Sequence, residues 1–226
     1  MIAIETLKFV PLFSALSPEH LSMLANCVTL QRYPRGVHVL RAGRLTDALY
    51  IVRSGRAKVF ESRPDGREVI FSIMGPGDFF GEMALLDDLP CSADVETLEP
   101  CELMRISKTD FTQRLAESFD LTARVMVALV GRLRRADRQI ESLALMDVYG
   151  RVARVLIELA EPIDGAYTIA RVPSRLDIAR MVGASREMVS RVMKQLRDSG
   201  HILVDKRRIV LLDKLRIGRR VAGNNK

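Results

Sequence analysis

Histidine and cysteine are scarce in this chain, three of each in 226 residues, and no apolar run is long enough to cross a bilayer. The longest unbroken apolar stretch, Val125–Val130, has six residues, where a membrane helix needs about 18. The start, MIAIETLKFVPLF, carries Glu5 and no basic segment, so it does not read as a secretory signal. Cys27, Cys91 and Cys101 are odd in number, dispersed and without a CxxC pair. That excludes a disulfide framework, a zinc finger and a four-cysteine iron–sulfur site within one chain. The expected compartment is the reducing cytosol, with no metal site and no membrane partner.

What the chain does have is charge, unevenly spread. Apolar residues make up 48% and charged residues 28%, an ordinary globular balance, and the net charge is +7. Residues 1–146 hold 18 Lys/Arg against 19 Asp/Glu, whereas residues 147–226 hold 17 against 9. A small basic domain joined to a near-neutral larger one is the footprint of polyanion binding, nucleic acid before membrane. A basic surface kept for solubility is the plainer alternative.

Three regions follow one another. Residues 1–108 read as a short helix and then many short strands. Ser17, Pro18 and Glu19 open the helix with a capping serine and a first-turn proline. Strand-like runs cover Cys27–Tyr33, Val37–Leu40, Ala48–Arg53, Ala57–Glu61, Glu68–Met74, Ala93–Thr97 and Cys101–Ile106. Gly/Pro turns separate them, which predicts a sandwich or barrel, and Asp65-Gly66 marks a hairpin. Over residues 109–146 the period changes: Met126, Leu129, Leu133, Ala136, Ile140 and Leu143 recur at steps of three and four, an a/d seam on one long helix. The seam is most economically buried against its own copy in a parallel dimer. Packing onto its own domain is the alternative, because the repeat spans under three heptads.

Residues 147–226 read as compact, mainly helical and basic. Tyr149–Leu159 is amphipathic and ends near Pro162; Ser174 caps a helix through Val182; Gly183-Ala184-Ser185 turns into a second helix, Arg186–Asp198. Ile202–Val204 and Ile209–Leu212 flank Asp205-Lys206-Arg207-Arg208, a basic hairpin, and the tail GRRVAGNNK reads as frayed. Two helices joined by a short turn with Gly form the shape that enters the major groove. In the second helix Val189, Val192, Met193 and Leu196 make the inward stripe, leaving Ser185, Arg186, Glu187, Ser190, Arg191 and Lys194 for DNA. Arg can hold guanine bidentately and Glu accepts from the cytosine amino group. The plainer reading of that face is an ordinary solvated helix surface.

Ala184-Ser185-Arg186-Glu187-Met188-Val189-Ser190-Arg191, with Leu176-Asp177-Ile178-Ala179 before it, resembles the helix–turn–helix of the CRP/FNR superfamily of bacterial transcription regulators. Leu143–Val152 is similar to that family's hinge, and Gly77-Asp78-Phe79-Phe80-Gly81-Glu82-Met83-Ala84-Leu85-Leu86 to its cyclic-nucleotide cassette. The resemblance spans about residues 9–215. It implies an α+β chain: an N-terminal β jelly-roll sensor (1–108), a dimerisation helix (109–146) and a C-terminal winged helix–turn–helix domain (147–226). Arg186, Glu187 and Arg191 match the base-reading trio of the cyclic-AMP receptor branch, implying a homodimer on a TGTGA-like palindrome. Glu187, Ser190 and Arg191 also satisfy the fumarate–nitrate branch, so Arg186 decides between them. The implied partners are double-stranded DNA, a second copy of the chain, RNA polymerase and a small nucleotide effector, with no enzymatic activity.

The same resemblance implies that Gly81 and Glu82 hold a ribose hydroxyl and that Ser92 can bond a phosphate oxygen. The cassette's phosphate-binding Arg, however, falls on Cys91, which cannot replace a guanidinium. The Thr-Ser pair that meets adenine in the cyclic-AMP receptor falls on Ala136 and Asp137. In their place stands Arg134-Arg135-Ala136-Asp137-Arg138, and Arg134-x-x-Asp137 looks like a signature of some cyclic di-GMP sites. Guanine offers acceptors to Arg134 or Arg138 and donors to Asp137. Cyclic di-GMP is therefore preferred to cyclic AMP as effector, and the charged flank of a coiled coil accounts for the same residues. The family's oxygen sensors need clustered cysteines, and haem sensing needs an axial ligand where His20, His38 and His201 stand isolated. A vestigial pocket, with a ligand-independent or cysteine-redox regulator, is the alternative. Asp78, Glu82, Asp87 and Asp88 form an acidic cluster without a His or Lys base, read as solvated rather than catalytic.

Overall fold

The computed structural model describes residues 4–8, 10–14, 16–205 and 208–212. The chain divides into two compact units, residues 1–133 and 134–226. In the first, α1 (Ile4–Lys8), a 3-10 turn (Pro11–Phe13) and α2 (Pro18–Cys27) lead into eight strands. These are β1 (Val28–Tyr33), β2 (His38–Leu40), β3 (Ala48–Ser54), β4 (Ala57–Ser62), β5 (Glu68–Met74), β6 (Phe79–Phe80), β7 (Asp94–Thr97) and β8 (Cys101–Ser107). They form two four-stranded sheets, ordered β1-β8-β3-β6 and β2-β7-β4-β5, whose described pairs are all antiparallel.

Strand β3 explains the layering. Ala48, Leu49, Tyr50, Ile51 and Val52 are all buried, because both faces of the strand are covered. Leu49 and Ile51 join Met104, Ile106, Leu24 and Phe111 in a core beneath the helices. Tyr50 and Val52 point the other way, joining Leu40, Ala57, Met74 and Val95 of the second sheet. The period of two thus builds two cores from one strand. On the outer face of the second sheet, Lys58, only 7% exposed, donates to Glu68 (2.8 Å) and lies 3.6 Å from Glu96, over the Phe60 ring.

After β8 the chain forms α4 (Lys108–Glu117) and α5 (Phe119–Leu145), two helices where one long one was expected. Ser118 makes the break with an extended backbone (φ −133°, ψ 105°). Its N–H donates to Arg114 O (3.0 Å), closing α4, while its hydroxyl accepts from Leu121 N (3.3 Å), opening α5. Leu121 and Val125 are buried in the first core, and Leu129 packs against it half-buried. Met126, Val127, Val130, Leu133, Ile140 and Leu143 are exposed, as is Ala136.

The second unit contains the rest of α5, α6 (Val148–Leu159), β9 (Glu161–Ile163), β10 (Ala166–Ile169), α7 (Arg175–Val182), α8 (Arg186–Asp198), β11 (Ile202–Asp205) and β12 (Arg208–Leu211). Its sheet runs β11-β12-β10-β9. The β9–β10 hairpin was not anticipated; it turns at Asp164 and Gly165, both at positive φ. Val152, Leu156, Ile178, Val182, Val189, Leu196 and Ile209 form one core. Strand β-roll, long helix and winged helix–turn–helix make the α+β architecture that the sequence implied. Of the basic hairpin, Lys206 and Arg207 lie outside the described residues, as does the GRRVAGNNK tail.

Candidate functional site

In the first unit, β6 ends in a turn that only glycine fits. Gly81 has φ +92°, and a Cβ there would lie 2.8 Å from the Ala48 carbonyl oxygen. The turn delivers Glu82 to the start of α3 (Glu82–Leu86) with its side chain 2% exposed. It faces a cleft of about 400 Å³, lined mainly by apolar groups including Leu40, Val59, Met74, Phe80 and Val95, with Gly81, Cys91, Ser92 and Arg132. Gly81, Glu82 and Ser92, named from sequence, thus line one cavity.

Arg132, which the sequence does not single out between Leu129 and Leu133 of the seam, enters that cavity from α5. Its Nη1 donates to Glu82 Oε1 and its Nη2 to the Phe79 carbonyl, while the guanidinium lies 4.5 Å above the Phe79 ring. The second carboxylate oxygen, Glu82 Oε2, is buried with no hydrogen-bond partner among the described residues. A buried acceptor without a donor is costly, so this atom is the cavity's unmet polar demand. Ser92 Oγ makes a long contact to Met83 Sδ (3.9 Å). Burial pushes the Cys91 thiol above its ordinary pKa, which keeps it neutral at physiological pH.

The remaining acids of the cluster serve separate local contacts. Asp78 accepts from Gly75 N (2.8 Å), Asp87 from Leu89 N (3.0 Å), and Asp88 pairs with Lys108. Among the described residues no group of three or more His, Cys, Asp or Glu is placed to hold a metal ion. Arg134, Asp137 and Arg138 belong to the second unit as exposed residues of α5, and no ion pair of theirs is found among the described residues.

In the second unit, Ser174 and Asp177 form a capping box at the start of α7, and Gly183 ends it at φ +62°. Ser185 caps α8, its hydroxyl accepting from Met188 N (3.2 Å). Val189, Val192, Met193 and Leu196 are buried, so helical geometry turns Arg186, Glu187, Ser190, Arg191 and Lys194 outward, and all are exposed together with Ser185. The Glu187 carboxylate is held below the usual range by its own backbone N–H first and then by the Ser185 hydroxyl. The helix therefore presents an ionised acceptor between cationic side chains on its first turns.

Comparison with known proteins agrees on both halves. Residues 30–118 match the cyclic nucleotide-binding domain family and residues 150–218 the Crp-like helix-turn-helix domain family. The chain is 30% identical over 220 residues to a CRP-like cAMP-activated global transcriptional regulator of Mycobacterium tuberculosis, covering 96% of this chain and 98% of that protein. It is 32% identical over 218 residues to the cyclic AMP receptor protein of Thermus thermophilus, covering 94% and 99%. Among solved structures, the c-di-GMP responsive global regulator CLP of Xanthomonas campestris superimposes with a TM-score of 0.70 at 30% identity, covering 86% of this chain and 99% of that one. No helix among the described residues is long and apolar enough to cross a membrane. A cyclic-nucleotide-type cavity in one unit and a helix–turn–helix in the other, matched end to end by these relatives, make the chain a member of the CRP/FNR superfamily of DNA-binding transcription regulators.

Proposed function

We propose that the protein acts as a homodimer on a TGTGA-like palindrome under the control of a nucleotide effector, with cyclic di-GMP preferred to cyclic AMP. The observation that carries the effector reading is Glu82: a buried carboxylate with Oε1 on Arg132 and Oε2 unsatisfied in a cleft with room for a ligand group. A ribose hydroxyl or a purine N–H supplies the missing donor. Cys91 in place of an arginine argues against the cyclic-AMP mode. Arg134, Asp137 and Arg138, exposed on α5, supply the forked donors and the acceptor that guanine requires. The relatives point to both nucleotides, since one is described as cAMP-activated and another as c-di-GMP responsive.

For the dimer, the exposure of Met126, Leu133, Ile140 and Leu143, at 48–65%, supports burial against a second copy. Leu129 is committed to its own core, so Val130, 49% exposed, takes its place in the proposed interface. For DNA, Arg186, Glu187 and Arg191 are the base readers, with Ser185, Ser190 and Lys194 beside them. RNA polymerase is the partner such a regulator acts upon.

Side-by-side calorimetric titration of the dimer with cyclic AMP and cyclic di-GMP tests the effector. Cyclic di-GMP binding that is weakened by Glu82→Gln, Arg134→Ala or Asp137→Ala supports the reading. Tight cyclic AMP binding with no response to cyclic di-GMP refutes the preference, and silence from both refutes a nucleotide effector and leaves the ligand-independent regulator.

A further inference from the structure

Among the described residues lining the cleft there is one guanidinium, and its charge is already offset. Arg132 Nη1 donates to Glu82 and Nη2 to the Phe79 carbonyl, so its remaining N–H groups belong to a cation that is already paired. An anionic ligand that drew Arg132 away would leave the buried Glu82 carboxylate uncompensated, which is unfavourable. Within the cleft wall, the Cys91 thiol is neutral and Ser92 offers a single hydroxyl. An anion entering this cavity therefore needs a second cation.

A loop beside Cys91 carries two. Arg41-Ala42-Gly43-Arg44 forms a tight turn closed by Arg44 N donating to Arg41 O (3.1 Å), with Gly43 at φ +73°. The turn is clamped to the cleft wall through Cys91 itself. Gly43 N donates to Cys91 O (2.9 Å) and Cys91 N donates to Arg44 O (2.8 Å). Leu40, the residue before the turn, lines the cleft. Both arginines are exposed, and neither has an ion pair among the described residues. Their Cα atoms stand at the two ends of one turn, within about 7 Å of each other, so both cationic side chains start from the same short stretch beside Cys91. The acids nearest in sequence to the turn and to Cys91 have other partners: Asp47 pairs with Arg105 (2.7 Å), Asp88 with Lys108, Asp94 lies 3.5 Å from His38 and Asp87 caps the Leu89 N–H.

We propose that the Arg41–Arg44 turn is the anion-binding lip of the cleft, with Arg44 as the main contact, and that it holds the phosphate of the effector from the Cys91 side. The inference rests on the nucleotide-effector reading above and deepens it: specificity for a phosphate-bearing ligand resides in this turn, while Glu82 reads the sugar or base. Leaving Arg132 on Glu82 avoids stranding a buried charge, and the ligand's phosphate instead meets two cations that have no ion pair among the described residues.

The test compares charged and uncharged probes on the full-length protein. Calorimetry with cyclic di-GMP, cyclic AMP and the uncharged guanosine and adenosine is run on the native chain, Arg44→Ala, the Arg41→Ala/Arg44→Ala pair, and Arg63→Ala on the β4–β5 hairpin as control. Arg44→Ala weakens the phosphate-bearing probe that binds by about tenfold or more, as expected for a lost charge-assisted contact. The pair weakens it further and flattens its salt dependence, while Arg63→Ala and the matching nucleoside are unaffected. Unchanged nucleotide affinity in the pair overturns the lip while leaving the effector reading standing. Equal loss of nucleotide and nucleoside overturns it as well, since the turn would then only shape the wall. A native chain that binds none of the probes defeats both, and the two failures are told apart by that first titration.

Discussion

Replacing Arg132 by Ala isolates the contact on which the cleft is built. Glu82 is 2% exposed and Arg132 is 25% exposed, so removing the cation strands a buried carboxylate while the cation itself was partly wet. Breaking one side of a buried pair costs about 3–5 kcal/mol, and the partial exposure of Arg132 places the loss near about 3 kcal/mol on that scale. The stack on Phe79 adds no more than ~1 kcal/mol. Two units in one chain make a single unfolding energy ill-defined, so calorimetric scanning that resolves the first unit's transition is the suitable assay. For a unit of this size about 3 kcal/mol corresponds to a lowering of its midpoint by roughly 10 °C. Adding Glu82→Gln to Arg132→Ala removes the stranded charge and recovers most of that loss, because neutralising both partners of a buried pair is far cheaper than removing one. A drop of less than about 1 kcal/mol, or a double variant no more stable than Arg132→Ala, refutes the view that Arg132 exists to neutralise Glu82.

Arg186→Ala costs ~1–3 kcal/mol on the palindrome and relaxes one base position while random DNA is bound nearly as before; equal losses on both in a fluorescence-anisotropy series would show a phosphate contact instead. Leu133→Glu on the exposed α5 stripe halves the mass measured by light scattering to the 25.4 kDa of one chain, and a variant that stays double refutes the α5 dimer. Burial raises the Cys27, Cys91 and Cys101 thiols above their ordinary 9.0, so the folded chain is alkylated at pH 8 more than about tenfold slower than the urea-unfolded chain; a cysteine that reacts equally fast in both would revive the redox regulator. The same raised values make the thiols stabilising in full below pH 9.0, with that contribution lost as pH climbs through the folded values, which a pH series of melting curves reads directly.

The parts of this molecule that could be read from sequence are those where a local rule and the tertiary structure demand the same residue. Glu68–Met74 and Arg186–Asp198 have the limits their period predicts, because alternation or a helical stripe is what buries Ile70 and Met74 in one and Val189, Val192, Met193 and Leu196 in the other. Gly81-Glu82 was legible through its resemblance to the family's cassette, and the structure supplies the reason for the glycine, since the turn forbids a Cβ. Elsewhere local rules pulled two ways. Asp164-Gly165 is a hairpin signal, but Pro162 beside it disfavours a strand; it is tolerated because β9 is the edge of its sheet. Ser118 breaks the helical region without a Glu or Gln three residues on, so no capping box announced it.

Arg132 marks the limit of such reading. Along α5 it is one arginine among Arg132, Arg134, Arg135 and Arg138, and on a helix such residues are ordinarily solvated. What distinguishes it lies 50 residues away, in a glutamate buried by a glycine turn against β3. From sequence Glu82 reads as one of four solvated acids; its burial corrects that reading, and nothing in the sequence says that it needs a cation or which arginine answers it. Leu129 stands three residues before Arg132 on the same face of α5, and with Leu121 and Val125 it packs on the first core while Val130 faces outward. Charge burial in the cleft and the exposed apolar face of α5 are therefore set by one helical phase. If the proposed effector competes for Glu82, it acts on the helix that carries both.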